Sequence, residues 1–204
     1  QKYDYRLTSL EVNGLEIIKL NEIEKLINIY NNQSIFLLPL DEISKSLKDI
    51  PWIKSVDIST NFKNTLYVNI NEFKPIGIYF FNNNYYFFAK NGKIIKLVNN
   101  NHILTYEFIT FYGKYSNLNA FKLLELLENS GFNFIEKIVK AEFINSRRWN
   151  LFLENDIEIR LSEIKSEIAL QNYIKLRKNL NKNEFDSIRS IDLRNVEKAI
   201  IELK

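Results

Sequence analysis

The stretch Asp49-Ile-Pro-Trp-Ile-Lys-Ser-Val56 decides the first half of the chain, because it closes an apolar helical pattern and opens a pair of alternating strands. Upstream, Leu40, Ile43, Leu47 and Ile50 recur at helical spacing, and Pro51 stops that helix by disfavouring a helical conformation in the residue before it. An earlier helix carries Leu20, Ile23, Leu26, Ile27 and Tyr30, with Asn21 predicted as its cap and Glu24 three residues on. Before both, Leu10 and Val12 alternate with Ser9, Glu11 and Asn13, the period of a strand buried on one face. Downstream, Trp52, Val56 and Ile58 are predicted to share one face of a strand. Leu66, Val68 and Ile70 share a face of the next, across the turn Asn61-Phe-Lys-Asn64. Two amphipathic helices and a three-stranded sheet with one apolar face bury each other, which gives a small βααββ domain.

Composition bounds the rest. A chain of 204 residues holds two modest cores, and 46% hydrophobic content with 14% aromatics excludes extensive disorder. No run of eighteen apolar residues exists to span a bilayer as a helix. The net charge of +3 comes from mixed lysines and acids, without the clustered basic stripe of a nucleic-acid binder. Lys175, Arg177 and Lys178, the densest basic group, read as a solvated helix face. The absence of cysteine removes disulfide and thiol chemistry. A chain that starts at Gln1 and contains no Met reads as a fragment or an exported ectodomain.

After Glu72-Phe-Lys-Pro75 the pattern becomes strand-rich: Ile-Gly-Ile-Tyr-Phe-Phe81, Tyr-Tyr-Phe-Phe-Ala89 and Lys-Ile-Ile-Lys-Leu97, with Asn91-Gly92 as a tight-hairpin signal. Residues 98–116 lack a clear period and read as a long surface connection with short strand pieces. A helix with Leu118, Phe121, Leu124, Leu126 and Leu127 then stops at Ser130-Gly131. Strands are predicted at 137–144, 149–154 and 157–161. A helix over 163–180 turns Ile164, Ile168, Tyr173, Ile174 and Leu176 inward, and strands at 187–193 and 198–203 end the chain. The class is α+β, with a βααββ domain over residues 1–75 and a mainly antiparallel β-domain with two helices over residues 76–204.

This order, with Pro-Trp-Ile-Lys-Ser-Val56 opening the second strand and Asn71-Glu-Phe-Lys-Pro-Ile-Gly-Ile-Tyr79 following the third, resembles the POTRA module of the FtsQ/DivIB family of bacterial cell-division proteins. Arg147-Arg-Trp149 followed by Leu-Phe-Leu-Glu-Asn-Asp-Ile-Glu-Ile-Arg-Leu161, and Ser-Ile-Asp-Leu-Arg-Asn195, are similar to that family's later motifs.

The catalytic inventory is poor. His102, the single histidine, sits in a polar turn and excludes a two-histidine metal site, so no metal or other cofactor is expected. The carboxylates have local roles, with Asp41-Glu42 and Glu22/Glu24 in helix first turns and Glu154/Asp156 beside a hairpin turn. No enzymatic function is expected. Trp52 and Trp149 read as packing residues, and Asp192 with Arg194 as a same-face pair or a ligand rim. Arg147 and Arg148 put at least one guanidinium in solvent, for loop solubility or for a partner contact.

The last strand differs in kind. Ala199, Ile201 and Leu203 alternate with Lys198, Ile200, Glu202 and Lys204, and if this strand is an edge, its unpaired backbone is a template for an incoming strand. The family resemblance implies that the edge binds FtsB and FtsL by strand addition. It implicates Asn195 and Glu197, Lys198, Ala199, Ile200, Ile201, Glu202 and Leu203, with Arg147 as a charged rim contact. Asn195 stands where the family has tyrosine, Lys198 where glycine is usual and Leu203 where an aromatic can occur, so the side-chain anchors must differ. The implied protein is a divisome scaffold of the inner membrane, on its periplasmic side at the septum, with further divisome proteins reached through the POTRA domain. One apolar span of about 20 residues is expected before Gln1. The rival reading is a POTRA-bearing module of an outer-membrane assembly or secretion system that binds unfolded strands.

Overall fold

The computed structural model describes residues 5–98 and 108–204, which divide between Lys74 and Pro75 into two compact units. In the first, β1 (Ser9–Asn13), α1 (Leu20–Ile27), α2 (Leu40–Lys48), β2 (Ile53–Thr60) and β3 (Thr65–Glu72) follow in the expected order. The sheet order is β1-β3-β2, with β1 parallel and β2 antiparallel to β3. Ile23 and Ile27 of α1, Ile43 and Leu47 of α2, and Leu66, Val68 and Ile70 of β3 form one buried cluster.

Two local expectations fail here. Lys19, not Asn21, holds the cap position of α1, and no side chain caps it. Trp52 precedes β2 instead of belonging to it. A bulge between Ile53 and Ser55 adds a residue to the strand, so Ile53 is the one that turns inward with Val56. Trp52 packs at the margin of the same cluster.

Glu72 explains why a carboxylate ends β3. Its side chain is buried, yet it accepts three backbone N–H groups from the segment before α1: Glu16 at 3.1 Å, Ile17 at 2.8 Å and Ile18 at 3.0 Å. That segment begins at Gly14, where φ is +83° and a Cβ would meet the Ile70 carbonyl oxygen at 1.9 Å, so only glycine fits. Successive amides converging on one charge satisfy donors that the loop would otherwise bury unpaired.

The second unit contains β4 (Pro75–Phe81), β5 (Asn84–Ala89), β6 (Ile94–Leu97), β7 (Thr110–Tyr112), α3 (Ser116–Ser130), β8 (Ile138–Ile144), β9 (Arg148–Leu153), β10 (Glu158–Leu161), α4 (Ser166–Asn179), α5 (Lys182–Asp186), β11 (Ile188–Leu193) and β12 (Ile200–Leu203). Its single sheet runs β12-β11-β10-β9-β8-β7-β4-β5-β6. The pairs β4/β7, β7/β8 and β10/β11 are parallel and the others antiparallel. Parallel neighbours need a long crossover, and α3 and α4 supply it for β7/β8 and β10/β11.

The helices bury their apolar stripes on one face, through Ala120, Leu123 and Leu127 of α3 and Ala169, Leu170 and Tyr173 of α4. The inward faces are therefore rotated from those expected, and Leu118 is exposed. Helix α5, absent from the sequence reading, starts with a capping box between Asn181 and Glu184. Burial raises the pKa of Tyr173, whose hydroxyl donates to Glu136 Oε1 at 2.9 Å beside Arg177. On the opposite face Tyr85, Phe80, Tyr112, Lys140 and Phe152 form a chain of ring and cation–π contacts across five strands.

Turn chemistry also differs from expectation. The two-residue hairpin with both residues at positive φ is Asn82-Asn83, between Phe81 and Asn84. At Asn91-Gly92 only Gly92 is left-handed, in a longer turn whose Asn91 side chain accepts from the Lys93 amide. In the stretch read as a surface connection, β7 is an interior strand and Phe111 is fully buried; His102 lies outside the described residues.

Replacing Glu72 with alanine removes a charge-assisted acceptor from three amides at once. The expected loss in the first unit is about 3 kcal/mol by urea denaturation, with Glu72→Gln intermediate. A loss below about 0.5 kcal/mol would mean that the loop is held by other contacts.

Candidate protein-interaction edge

Among the described residues β12 is the terminal strand of its sheet, paired only with β11. Ile200, Ile201 and Leu203 are 57%, 38% and 63% exposed, whereas α4 packs over β10 and β11. The amide of Lys204 donates to the Ser187 carbonyl at 2.9 Å. By the two-residue alternation of a strand, Glu202 and Ile200 then turn their backbone groups toward β11, and Leu203 and Ile201 turn theirs away. The irregularity in this pair lies on β11, between Ile188 and Ser190, and leaves the alternation of β12 intact. The outward set carries donors and acceptors with no strand partner among the described residues.

Side chains hold the strand from its inner side. Glu202 accepts from Ser190 Oγ at 3.0 Å and lies 3.2 Å from Arg189 Nη1, and Lys204 Nζ reaches the Asp186 carbonyl at 2.9 Å. The turn before β12 is built by Asn195, whose Oδ1 accepts from the Glu197 amide at 2.9 Å and whose carbonyl accepts from the Lys198 amide. Asn172 of α4 anchors it by donating to the Val196 carbonyl at 2.7 Å. Asp192 and Arg194 form the expected pair, with a shortest separation of 2.5 Å. The hydrogen bonds from Arg194 hold the Asp192 carboxyl below the usual carboxylate range against the opposing effect of burial.

A groove of about 670 Å³ opens beside this turn, lined by Arg147, Arg148, Glu163, Ile164, Arg194 and Asn195 among others. Arg147 is more than half exposed and lies 3.6 Å from Glu163. Arg148 is the less expected member. Its Nε and Nη1 atoms are buried without a hydrogen-bond partner among the described residues. Because Trp149 turns into the core against Phe143 and Phe111, alternation sends Arg148 to the other face of β9. Ile164, expected inward, is 89% exposed in the loop before α4 and lines the groove. The structure thus brings Arg147, Asn195 and Glu197 together at the groove and strings Ile200 to Leu203 along the edge, with Lys198 and Ala199 between. The adjacency of two arginines before an inward tryptophan was the sequence signal for Arg148; nothing in the pattern signalled Ile164.

Among the described residues no three His, Cys, Asp or Glu side chains gather as a metal site, and no helix is long and apolar enough to cross a membrane.

Residues 5–73 match the family described as POTRA domain, FtsQ-type, and residues 78–194 match the family described as cell division protein FtsQ/DivIB, C-terminal. Cell division protein FtsQ of Rickettsia prowazekii is 33% identical over 204 residues, covering 98% of this chain and 73% of that protein. The Rickettsia typhi protein of the same name is also 33% identical, over 98% of this chain and 74% of its own. The Bradyrhizobium diazoefficiens FtsQ is 25% identical over 98% of this chain and 57% of its own.

Two stability outcomes follow from this geometry. Arg148→Met removes two buried guanidinium nitrogens that have no hydrogen-bond partner among the described residues, and is expected to stabilise the protein by about 1–3 kcal/mol in chemical denaturation; a destabilised variant would mean those groups have a partner. For Asp192, a depressed folded pKa means its contribution is complete above the unfolded value of about 4 and is lost as pH falls through the folded value. Asp192→Asn should therefore lose less stability than the parent between about pH 4 and pH 2, read from melting curves across that range.

Proposed function

The chain belongs to the FtsQ/DivIB family of cell-division proteins, and we propose that it is a non-enzymatic scaffold that captures the extracytoplasmic segments of FtsB and FtsL by strand addition at β12. The observation that carries this reading is the open backbone of Ile201 and Leu203 on an exposed terminal strand. Strand addition takes its affinity from main-chain hydrogen bonds and its specificity from flanking side-chain pockets. The groove beside the Asn195 turn supplies such a pocket. Arg148 presents two unpartnered N–H-bearing nitrogens to an acidic or carbonyl group of the partner, Arg147 borders it, and Ile164 offers an apolar contact.

In this reading Glu202 is not a partner contact through its side chain, since Arg189 and Ser190 already engage it. It keeps β12 in place while the opposite backbone edge stays available. The protein works from the periplasmic side of the inner membrane, held there by an anchor outside this chain, and links early and late division proteins at the septum. The POTRA unit is read as the site for further divisome membrane proteins. The FtsQ-type match over residues 5–73 weighs against the rival role in outer-membrane assembly or secretion.

Proline scanning of β12 tests the reading. Ile201→Pro removes an outward donor and no ladder bond, so calorimetric titration with FtsB's extracytoplasmic segment should show at least about tenfold weaker binding with a nearly unchanged melting temperature. Ile200→Pro removes a donor aimed at β11 and should lower stability first. An Ile201→Pro protein that binds like the parent means the partner sits elsewhere.

A further inference from the structure

The three arginines at the groove differ in how firmly they are held. Arg194 is fixed, since its Nε and Nη2 atoms donate to the Asp192 carboxylate and its own amide donates to Asp192 Oδ1. Arg148 has two buried nitrogens without a partner among the described residues. Arg147 stands between these cases. Its Nη1 lies 3.6 Å from Glu163 Oε2, an attraction of opposite charges longer than a hydrogen bond, and both side chains are about half exposed.

Glu163 therefore presents to Arg147 the same group, a carboxylate, that an acidic partner would bring. It comes from the loop before α4 and Arg147 from the turn before β9, and both line the groove. Each backbone is held without the pair. The Lys165 amide donates to Ser162 Oγ at 3.4 Å and Ser166 Oγ to the Ser162 carbonyl at 2.6 Å, while the Arg147 amide donates to the Ile144 carbonyl at 3.1 Å. Exchanging one carboxylate for another at Arg147 needs only a side-chain rotation of Glu163.

The charge of the lining favours that exchange. With Arg194 offset by Asp192, the cations Arg147, Arg148 and Lys165 still outnumber the acids Glu163 and Glu197. An acidic occupant is thus preferred to a neutral carbonyl.

We propose that Glu163 is a resident competitor, which holds Arg147 in the free protein and yields it to a carboxylate side chain flanking the strand that adds to β12. The proposal rests on the strand-addition reading and adds to it the residue that sets the strength of the partner's acidic contact. Calorimetric titration and stopped-flow association with FtsB's extracytoplasmic segment, at low and high salt, compare the parent with Glu163→Gln, Arg147→Gln and the double variant. Glu163→Gln should bind about threefold tighter at low salt, mostly through faster association, and the gain should fade at high salt. In the Arg147→Gln background the same change should gain nothing, because the pair it relieves is already gone. An exposed pair contributes little to folding, so all four proteins should melt alike. Unchanged or weaker binding by Glu163→Gln overturns the proposal, and so does an equal gain in both backgrounds, which would be a general effect of charge. A parent that fails to bind the segment overturns the strand-addition reading itself, and this proposal with it.

Discussion

Two of the three parallel junctions in one sheet decide which strands of the second unit are covered by helices. Strands β7 and β8, and strands β10 and β11, cannot be joined by tight turns when they run the same way, so each junction needs a crossover over one face. Helices α3 and α4 take that role and touch each other, so both lie on the same side. The cover they provide ends with the strands they connect. β12 returns antiparallel after a short turn to the margin of the sheet, with its apolar residues left in solvent. Exposure at this edge is a consequence of topology, since the residues themselves are as apolar as those of a buried strand.

An open edge would fray unless something other than a second neighbour held it. Here the restraint comes from one side. Glu202 bonds to Ser190 and Arg189, Lys204 to the backbone of Asp186, and Asn172 of α4 pins the turn at Val196. Each is polar and partly solvated, so each contributes modestly. Together they leave the outward amides of Ile201 and Leu203 untouched. A fourth helix turn or a further strand would have been a stronger restraint and would have closed the edge.

Most of the first unit was legible because its helices and strands differ sharply in period and because Pro51 and the Asn61–Asn64 turn punctuate them. The failures share a cause. A bulge changes which residues face inward without changing the hydrophobic count, so Ile53 took the place read for Trp52. In α3 and α4 apolar residues occupy more than one stripe, and only the packed sheet decides that Ala120, Leu123, Ala169 and Leu170 turn in while Leu118 and Ile168 stay out. The edge strand was readable as a strand, yet its outward set was not, because backbone direction depends on register with β11. Arg148 was visible as chemistry and invisible as a buried, unpaired group until β9 was placed.

The departures at Asn195 and Lys198 take on meaning in this geometry. Asn195, expected from the resemblance to stand at a tyrosine position, spends its side chain on the Glu197 amide and its carbonyl on Lys198, so it shapes the turn and offers no ring to a partner. On the proposed reading an apolar anchor must then come from elsewhere around the groove, and Ile164, which projects from the loop before α4, occupies that position. Burying it against a partner would recover about 1.5–3 kcal/mol, comparable to one aliphatic anchor in a core. Binding by strand addition tolerates such a transfer, because the backbone supplies the pairing and the side chains need only meet somewhere along the same rim.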